Sequence, residues 1–242
     1  MSAESKRDQL AARALRVSLD PARPAPGILM DAAHIIRQGG LLAYPTETSY
    51  GLAADPACAH AVQRLFRLKG REGARALILL VARAEQAHDL SLLSGAARRW
   101  FERLAAAFWP GPLTLILPSR PGSHRHALAG GATVAIRISS HPVALQLVRA
   151  VGGPITSTSA NLSGAAPAVR ADEIDAALAA GLDLILDAGP APGGPASTLL
   201  DLTGLRPTIV RDGPVTSDQI ASVLHLRPAT RAPVARPRGV AL

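Results

Sequence analysis

The sequence predicts a single α/β domain. Apolar segments with helical spacing alternate along the chain with short runs of apolar residues, a pattern typical of helices packed on a largely buried sheet. The chain has 242 residues, and no internal repeat or boundary interrupts residues 28–225. Hydrophobic residues make up 48% and charged residues only 18%, which excludes a protein that is disordered over most of its length.

Individual helices and strands are predicted from the period of the apolar residues and from the turn residues that bound them. The first helix, I-L-M-D-A-A-H-I-I-R-Q, ends at Gly39–Gly40, and the longest, from about 94 to 108, ends at Trp109–Pro110–Gly111. The other predicted helices cover residues 58–68, 141–150, about 171–180 and a closing segment from Thr216. The predicted strands are L-L-A-Y-P, A-L-I-L-L-V, L-T-L-I-L, T-V-A-I-R-I, P-I-T-S-T, L-D-L-I-L and S-T-L-L-D-L.

The two ends of the chain hold most of its net charge. Residues 1–27 mix charges with prolines and are predicted to be a flexible leader, whereas residues 226–242 read as a basic Arg/Pro tail. The leader has five basic and three acidic residues and the tail has four basic and none, so together they account for +6 of the formal +8. Overall basicity is therefore weak evidence for a nucleic-acid-binding domain.

Several protein classes are excluded by what the sequence lacks. No apolar run approaches the roughly 18–20 residues of a membrane-spanning helix, and the N-terminus has no apolar core of a signal peptide, so we expect a soluble, cytoplasmic protein. The lone Cys58 excludes an internal disulfide framework and a multi-cysteine zinc site. Neither G-x-G-x-x-G nor G-x-x-x-x-G-K-[ST] occurs, so Rossmann and P-loop nucleotide sites are not supported.

Three polar segments stand out against the Ala/Leu-rich background. Y-P-T-E-T-S-Y-G-L, residues 44–52, follows an apolar strand and presents Thr46, Glu47 and Thr48 where strands commonly offer ligand contacts. S-T-S-A-N-L-S-G, residues 157–164, concentrates hydroxyls and one amide that suit phosphate and ribose oxygens. A polar turn without function and an ST-turn without a ligand are the respective alternatives.

The third segment is L-K-G-R, with Lys69 and Arg71 beyond the end of a predicted helix. Lysine and arginine flanking a glycine suit oxyanions, because a point charge and a planar fork can both reach phosphate oxygens. Residues 64–125 contain eleven basic and four acidic residues, a local charge of +7 around one of only two lysines. A solvated face or a cationic helix cap is the alternative.

A fourth, weaker candidate for functional residues combines Ser197–Thr198, at the start of a predicted strand, with R-D-G at 211–213.

Together these segments resemble the YrdC/TsaC family of threonylcarbamoyl-AMP synthases, in its short bacterial form. The resemblance spans residues 28 to about 224 and rests on six stretches in the family's order: Y-P-T-E-T-S-Y-G-L, L-K-G-R, W-P-G-P-L-T-L-I-L, V-A-I-R-I, P-I-T-S-T-S-A-N-L-S-G and S-T-L-L-D-L…I-V-R-D-G. It implies a twisted open sandwich around a mixed sheet with a concave, electropositive face. It also implies synthesis of threonylcarbamoyl-AMP and pyrophosphate from L-threonine, bicarbonate and ATP, for t6A37 modification of tRNA by downstream transfer proteins.

The resemblance also implies roles for individual residues. Lys69 and Arg71 would be catalytic and would hold the ATP phosphates together with Mg²⁺, with no metal ligand expected from the protein. The further ATP contacts implied are Ser159, Asn161 and Arg211. The threonine contacts implied are Thr48, Arg137, Ser157 and Ser197.

Two departures from the family pattern limit what the resemblance implies. Arg75 replaces an asparagine and Leu80 a histidine, so their ATP and threonine contacts are not carried over.

Two other functions stay open: a non-catalytic, RNA-binding relative that uses its basic face, and a paralogue that makes another carbamoyl-adenylate. Lys69, Arg71, Ser159 and Asn161 favour the synthase.

Overall fold

A computed structural model describes residues 14–70, 76–122, 124, 126–128 and 131–226. The strands in these ranges are β1 Leu15–Ser18, β2 Leu42–Pro45, β3 Tyr50–Ala53, β4 Ile78–Leu80, β5 Leu113–Pro118, β6 Thr133–Arg137, β7 Ile155–Ser159, β8 Leu184–Asp187, β9 Thr198–Asp201 and β10 Thr208–Arg211. They form one sheet in the order β1-β8-β2-β3-β7-β4-β6-β5-β9-β10. Parallel and antiparallel neighbours alternate irregularly, so the sheet is mixed and ends at β1 and β10.

Local signals in the sequence set the ends of the helices. The helices are α1 Pro26–Arg37, α2 Ala59–Leu68, α3 Glu85–Leu90, α4 Gly95–Phe108, α5 Pro142–Val151, α6 Ala176–Ala180 and α7 Ser217–Leu224, with a 3₁₀ turn at Ala171–Glu173. Helix α5 begins with a proline, its preceding His141 accepts the Val143 N–H, and it ends at Gly152 with φ +81°. Helix α7 begins with a capping box between Thr216 and Gln219. None of the helices in the described ranges has the length and apolar character that crossing a membrane requires.

Hydrophobic clusters cover both faces of the sheet. On one face Leu42 and Tyr44 of β2 pack with α1 and α5, whereas Ala43, one position along, belongs to the cluster of the opposite face with α2, α4 and α7. Successive residues of a strand point to opposite faces, so nearly every position of a central strand is buried. This arrangement confirms the predicted α/β class, with a mixed sheet in one domain.

Part of the segment predicted as a leader forms a strand. Residues 15–18 form β1, which pairs in parallel with β8, and Arg16 Nη2 lies 2.7 Å from Asp187 Oδ2. The sequence pattern did not predict this strand, because a short edge strand with mostly exposed residues has no apolar alternation to reveal it. Residues 1–13 and 227–242 lie outside the described residues, and the flexible leader and the basic tail stay predictions.

Candidate active site

A cleft with a volume of about 440 Å³ opens beside the central strands β3, β7, β4 and β6. Seven of the residues predicted as ligand contacts line it, although they come from distant parts of the chain. These residues are Thr48, Arg137, Ser157, Ser159, Asn161, Ser197 and Arg211. The topology therefore brings the first and second polar segments, the end of β6 and the R-D-G stretch to one place.

The β2–β3 turn forms one side of the cleft. Thr46 Oγ1 donates to the Ser49 carbonyl oxygen at 2.7 Å and accepts the backbone N–H groups of Thr48 and Ser49 at 3.2 and 3.3 Å. Thr46 and Thr48 are buried, and their hydroxyl oxygens lie 3.1 Å apart. Because the Thr46 hydroxyl is used inside the turn, it fixes the backbone that presents Thr48 to the cleft.

Two tyrosines lie at the base of this region. The Tyr50 hydroxyl donates to the Gly189 carbonyl oxygen at 2.7 Å, and that of Tyr44 donates to the Thr156 carbonyl oxygen at 3.4 Å. Burial raises the pKa of each phenol to about 12. Both side chains therefore stay neutral at physiological pH and provide an uncharged floor.

A buried ion pair joins this turn to the end of β6. Arg137 Nη1 lies 2.8 Å from Glu47 Oε1, and the two side chains are only 5% and 11% exposed. The hydroxyl of Ser139 donates to the other oxygen of Glu47. Arg137 Nε is buried and has no hydrogen-bond partner among the described residues. The sequence pointed to Arg137, whereas Ser139 was missed because an isolated serine after a strand has no distinguishing signal.

A second guanidinium faces the same cleft. Arg211 Nε and Nη2 lie 3.1 and 2.9 Å from the Ser197 carbonyl oxygen, and Nη2 lies 3.2 Å from Ser197 Oγ. Burial lowers the pKa of Arg211 from its ordinary value, and the positive charge of Arg137 lowers it further. The formal charges of these two arginines and Glu47 sum to +1, which favours an anionic ligand.

Gly213 holds Arg211 against the start of β9. A Cβ atom at Gly213 would lie 2.3 Å from the Thr198 nitrogen and 2.4 Å from the Ala196 carbonyl oxygen, so only glycine permits this approach of two backbones. This contact explains the R-D-G stretch singled out in the sequence. Ser197 Oγ, 2.8 Å from Thr114 Oγ1, lies in the segment that Gly213 contacts.

We therefore expect Gly213→Ala to displace residues 196–198 and to lower the free energy of unfolding by about 1–3 kcal/mol, as overpacking does. Denaturant titration measures the loss. Gly204→Ala is the matched control, because its Cβ would meet only the Arg206 carbonyl oxygen, at 3.6 Å. Equal stability of the two variants would contradict the role assigned to Gly213.

Lys69 lies beneath the turn that follows β7. Its side chain is 1% exposed, and its Nζ donates to the carbonyl oxygens of Ser159 and Asn161, the latter at 2.9 Å. The Ser159 hydroxyl donates to Asn161 Oδ1, and Asn161 Nδ2 donates to the Ala165 carbonyl oxygen at 2.5 Å. The ammonium thus holds the backbone from which Ser159 and Asn161 face the cleft.

The structure describes only part of the predicted phosphate-binding segment around L-K-G-R. Lys69 is not among the residues that line the cleft, so its contact with ATP phosphates stays a prediction. Arg71 and Arg75 lie outside the described residues. Leu80, which stands where the family pattern has a histidine, is fully buried in the hydrophobic cluster beneath α5.

The described residues do not form a cage for a resident metal ion. No group of three or more His, Cys, Asp or Glu side chains in the described ranges could hold one. Glu47 has one carboxylate oxygen on Arg137 and the other on Ser139. The described residues therefore do not fit a protein-bound Mg²⁺, and we derive no step through one.

Comparisons with known proteins point to a single family. The family model named Sua5_yciO_yrdC and described as telomere recombination matches residues 34–213. A threonylcarbamoyl-AMP synthase of Bacillus subtilis is 39% identical over 197 residues, which are 81% of this chain and 56% of that protein. A putative threonylcarbamoyl-AMP synthase of Mycobacterium tuberculosis is 37% identical over 213 residues, covering 87% of this chain and 95% of the relative.

The fold matches a solved structure from the same group. The crystal structure of Pyrococcus abyssi Sua5 complexed with L-threonine superposes with a TM-score of 0.80 at 35% identity, covering 86% of this chain and 60% of that one. The chain therefore spans little more than half the length of several relatives that it matches, including the B. subtilis synthase.

Proposed function

Because the chain belongs to the Sua5/YciO/YrdC family, we propose that it is a threonylcarbamoyl-AMP synthase. Its products would be L-threonylcarbamoyladenylate and pyrophosphate, made from L-threonine, bicarbonate and ATP. The observation that carries the proposal is the cleft, in which seven residues expected to contact ATP or threonine lie together, among them the buried Arg137 and the half-buried Arg211. The names of the relatives support the synthase over the RNA-binding alternative.

The chemistry needs positioning and charge neutralisation more than a protein nucleophile. The threonine amine attacks bicarbonate and water leaves, which gives a carbamate. A carbamate oxygen then attacks the α-phosphorus of ATP, and the bond from that phosphorus to the departing pyrophosphate breaks. Negative charge is present on both reactants throughout, so fixed cations and hydrogen-bond donors stabilise the transition state.

The cleft offers groups for each reactant. Arg137, with Thr48 and the hydroxyls of Ser157 and Ser197, would bind the carboxylate and hydroxyl of threonine. Ser159 and Asn161, held by Lys69, would contact the nucleotide, and Arg211 would offset phosphate charge. Arg211 and Ser197 are hydrogen-bonded to each other, so the two substrates would meet at this pair.

The proposed reaction also involves Mg²⁺, downstream transfer proteins and tRNA. Mg²⁺ would enter with the ATP phosphates, since the described residues offer it no cage. The threonylcarbamoyl group would pass to downstream transfer proteins for tRNA modification, in the cytoplasm. Direct contact of this chain with tRNA belongs to the same proposal, in view of the local +7 at residues 64–125.

We expect the purified protein to release pyrophosphate from ATP only when both threonine and bicarbonate are present. A coupled pyrophosphate assay measures the rate, and mass spectrometry identifies the adenylate. Omission of each substrate in turn, and replacement of threonine by valine, are the controls. Release that is absent or indifferent to threonine would refute the synthase, and tRNA binding without release would support the RNA-binding alternative.

A further inference from the structure

Glu47 is not among the residues expected to contact a substrate, but it forms a buried ion pair with one of them, Arg137. We propose that Glu47 is a positioning residue, which fixes the guanidinium of Arg137 for recognition of the threonine carboxylate. This inference rests on the proposed function and adds a residue to it.

The carboxylate of Glu47 determines which donors of Arg137 are left for a ligand. It accepts Nη1 at 2.8 Å, while Arg137 Nε is buried and has no partner among the described residues. A buried donor without a partner is costly, and a ligand carboxylate is the chemistry that would satisfy it. Without Glu47 the guanidinium could rotate, and Nη1 would lose its only hydrogen-bond partner among the described residues.

Glu47 also offsets repulsion between two cations. Arg137 and Arg211 line one cleft, and the charge of Arg137 contributes to the lowered pKa of Arg211. A negative charge on the far side of Arg137 reduces this repulsion and still leaves a net charge of +1 for the three groups. Both arginines can then stay inside the cleft before any anionic substrate arrives.

The anchor of Glu47 is rigid. Its second oxygen accepts the hydroxyl of Ser139, whose Oγ in turn accepts the His141 N–H at 3.2 Å. His141 caps α5, because its Nδ1 accepts the Val143 N–H at 3.2 Å. The carboxylate is thus fixed from the N-terminus of a ten-residue helix as well as from the β2–β3 turn.

The test is Glu47→Gln, which keeps the shape and one acceptor oxygen but removes the charge. We expect the KM for threonine, and its Kd by calorimetry, to rise about tenfold, the loss that weakening one charge-assisted hydrogen bond produces. The KM for ATP and kcat should stay within about twofold, since the proposal concerns only the threonine carboxylate. Ser139→Ala, which removes only the second contact, should raise the threonine KM by about threefold.

The control is Glu102→Gln, which removes an exposed carboxylate paired with Arg98 at 2.8 Å and should change nothing. Thermal denaturation of each variant separates misfolding from altered binding. If Glu47→Gln lowers kcat/KM equally for threonine and for ATP, or leaves the threonine Kd unchanged, Glu47 is only a structural ion-pair partner. Absence of threonine binding by the wild-type protein would refute the proposed function itself, and this inference with it.

Discussion

Substitution of Lys69 by alanine is expected to reduce threonine-dependent pyrophosphate release by at least about a hundredfold. The ammonium donates to the carbonyl oxygens of Ser159 and Asn161 from a fully buried position. Hydrogen bonds to a charged group contribute about 1.5–3 kcal/mol each, so two of them account for two or more decades of rate if the turn must be ordered for catalysis. The same variant loses any contact that Lys69 makes with ATP phosphates.

Arg67→Ala is the matched control for Lys69. It removes a positive charge from the last turn of α2, two residues before Lys69, at an exposed position. We expect its activity and stability to remain at the wild-type level, whereas circular dichroism of Lys69→Ala should show a retained fold. Full turnover of Lys69→Ala would show that neither the order of the turn nor this cation is needed.

Substitution of Arg137 by alanine is expected to abolish threonine binding and to destabilise the protein. The change leaves the carboxylate of Glu47, which is 11% exposed, with Ser139 as its one remaining partner among the described residues. Removing one member of a buried ion pair costs about 3–5 kcal/mol, because the remaining charge is uncompensated. Chemical denaturation should detect this loss, and calorimetry should detect no threonine binding at concentrations a hundredfold above the wild-type Kd.

The double variant Arg137→Ala, Glu47→Gln separates the two effects. It removes the uncompensated charge, so part of the lost stability should return while threonine binding stays absent. Recovery of threonine binding in the double variant would mean that Arg137 serves only to neutralise Glu47. In that case the carboxylate of threonine would have to be recognised elsewhere in the cleft.

Much of this site could be predicted from residue type and order. Hydroxyls and an amide concentrated at the end of a buried strand are rare in an Ala/Leu-rich chain, and Ser157, Ser159 and Asn161 from that stretch do line the cleft. The strands β5, β6 and β9 could also be predicted from the sequence, because continuous apolar runs indicate burial on both faces of a sheet. These signals are local, and each needs only a few neighbouring residues.

The parts that could not be predicted depend on contacts between distant segments. Glu47 reads as one member of a polar turn, and its pairing with Arg137 appears only once β3, β7, β4 and β6 are adjacent. Lys69 reads as a surface cation beyond a helix end, since only the tertiary fold shows that it is buried beneath Ser159. Strand β1 is visible only as the partner of β8.

The strand order also determines when the cleft can exist during synthesis. Its defining pairs are 83 to 92 residues apart along the chain, as in Thr114 with Ser197, Glu47 with Arg137 and Lys69 with Asn161. A nascent chain that has not yet reached β10 therefore lacks Arg211 and cannot form the complete site. High contact order of this kind slows folding, and substrates that bind only the finished site draw the folding equilibrium toward it by mass action.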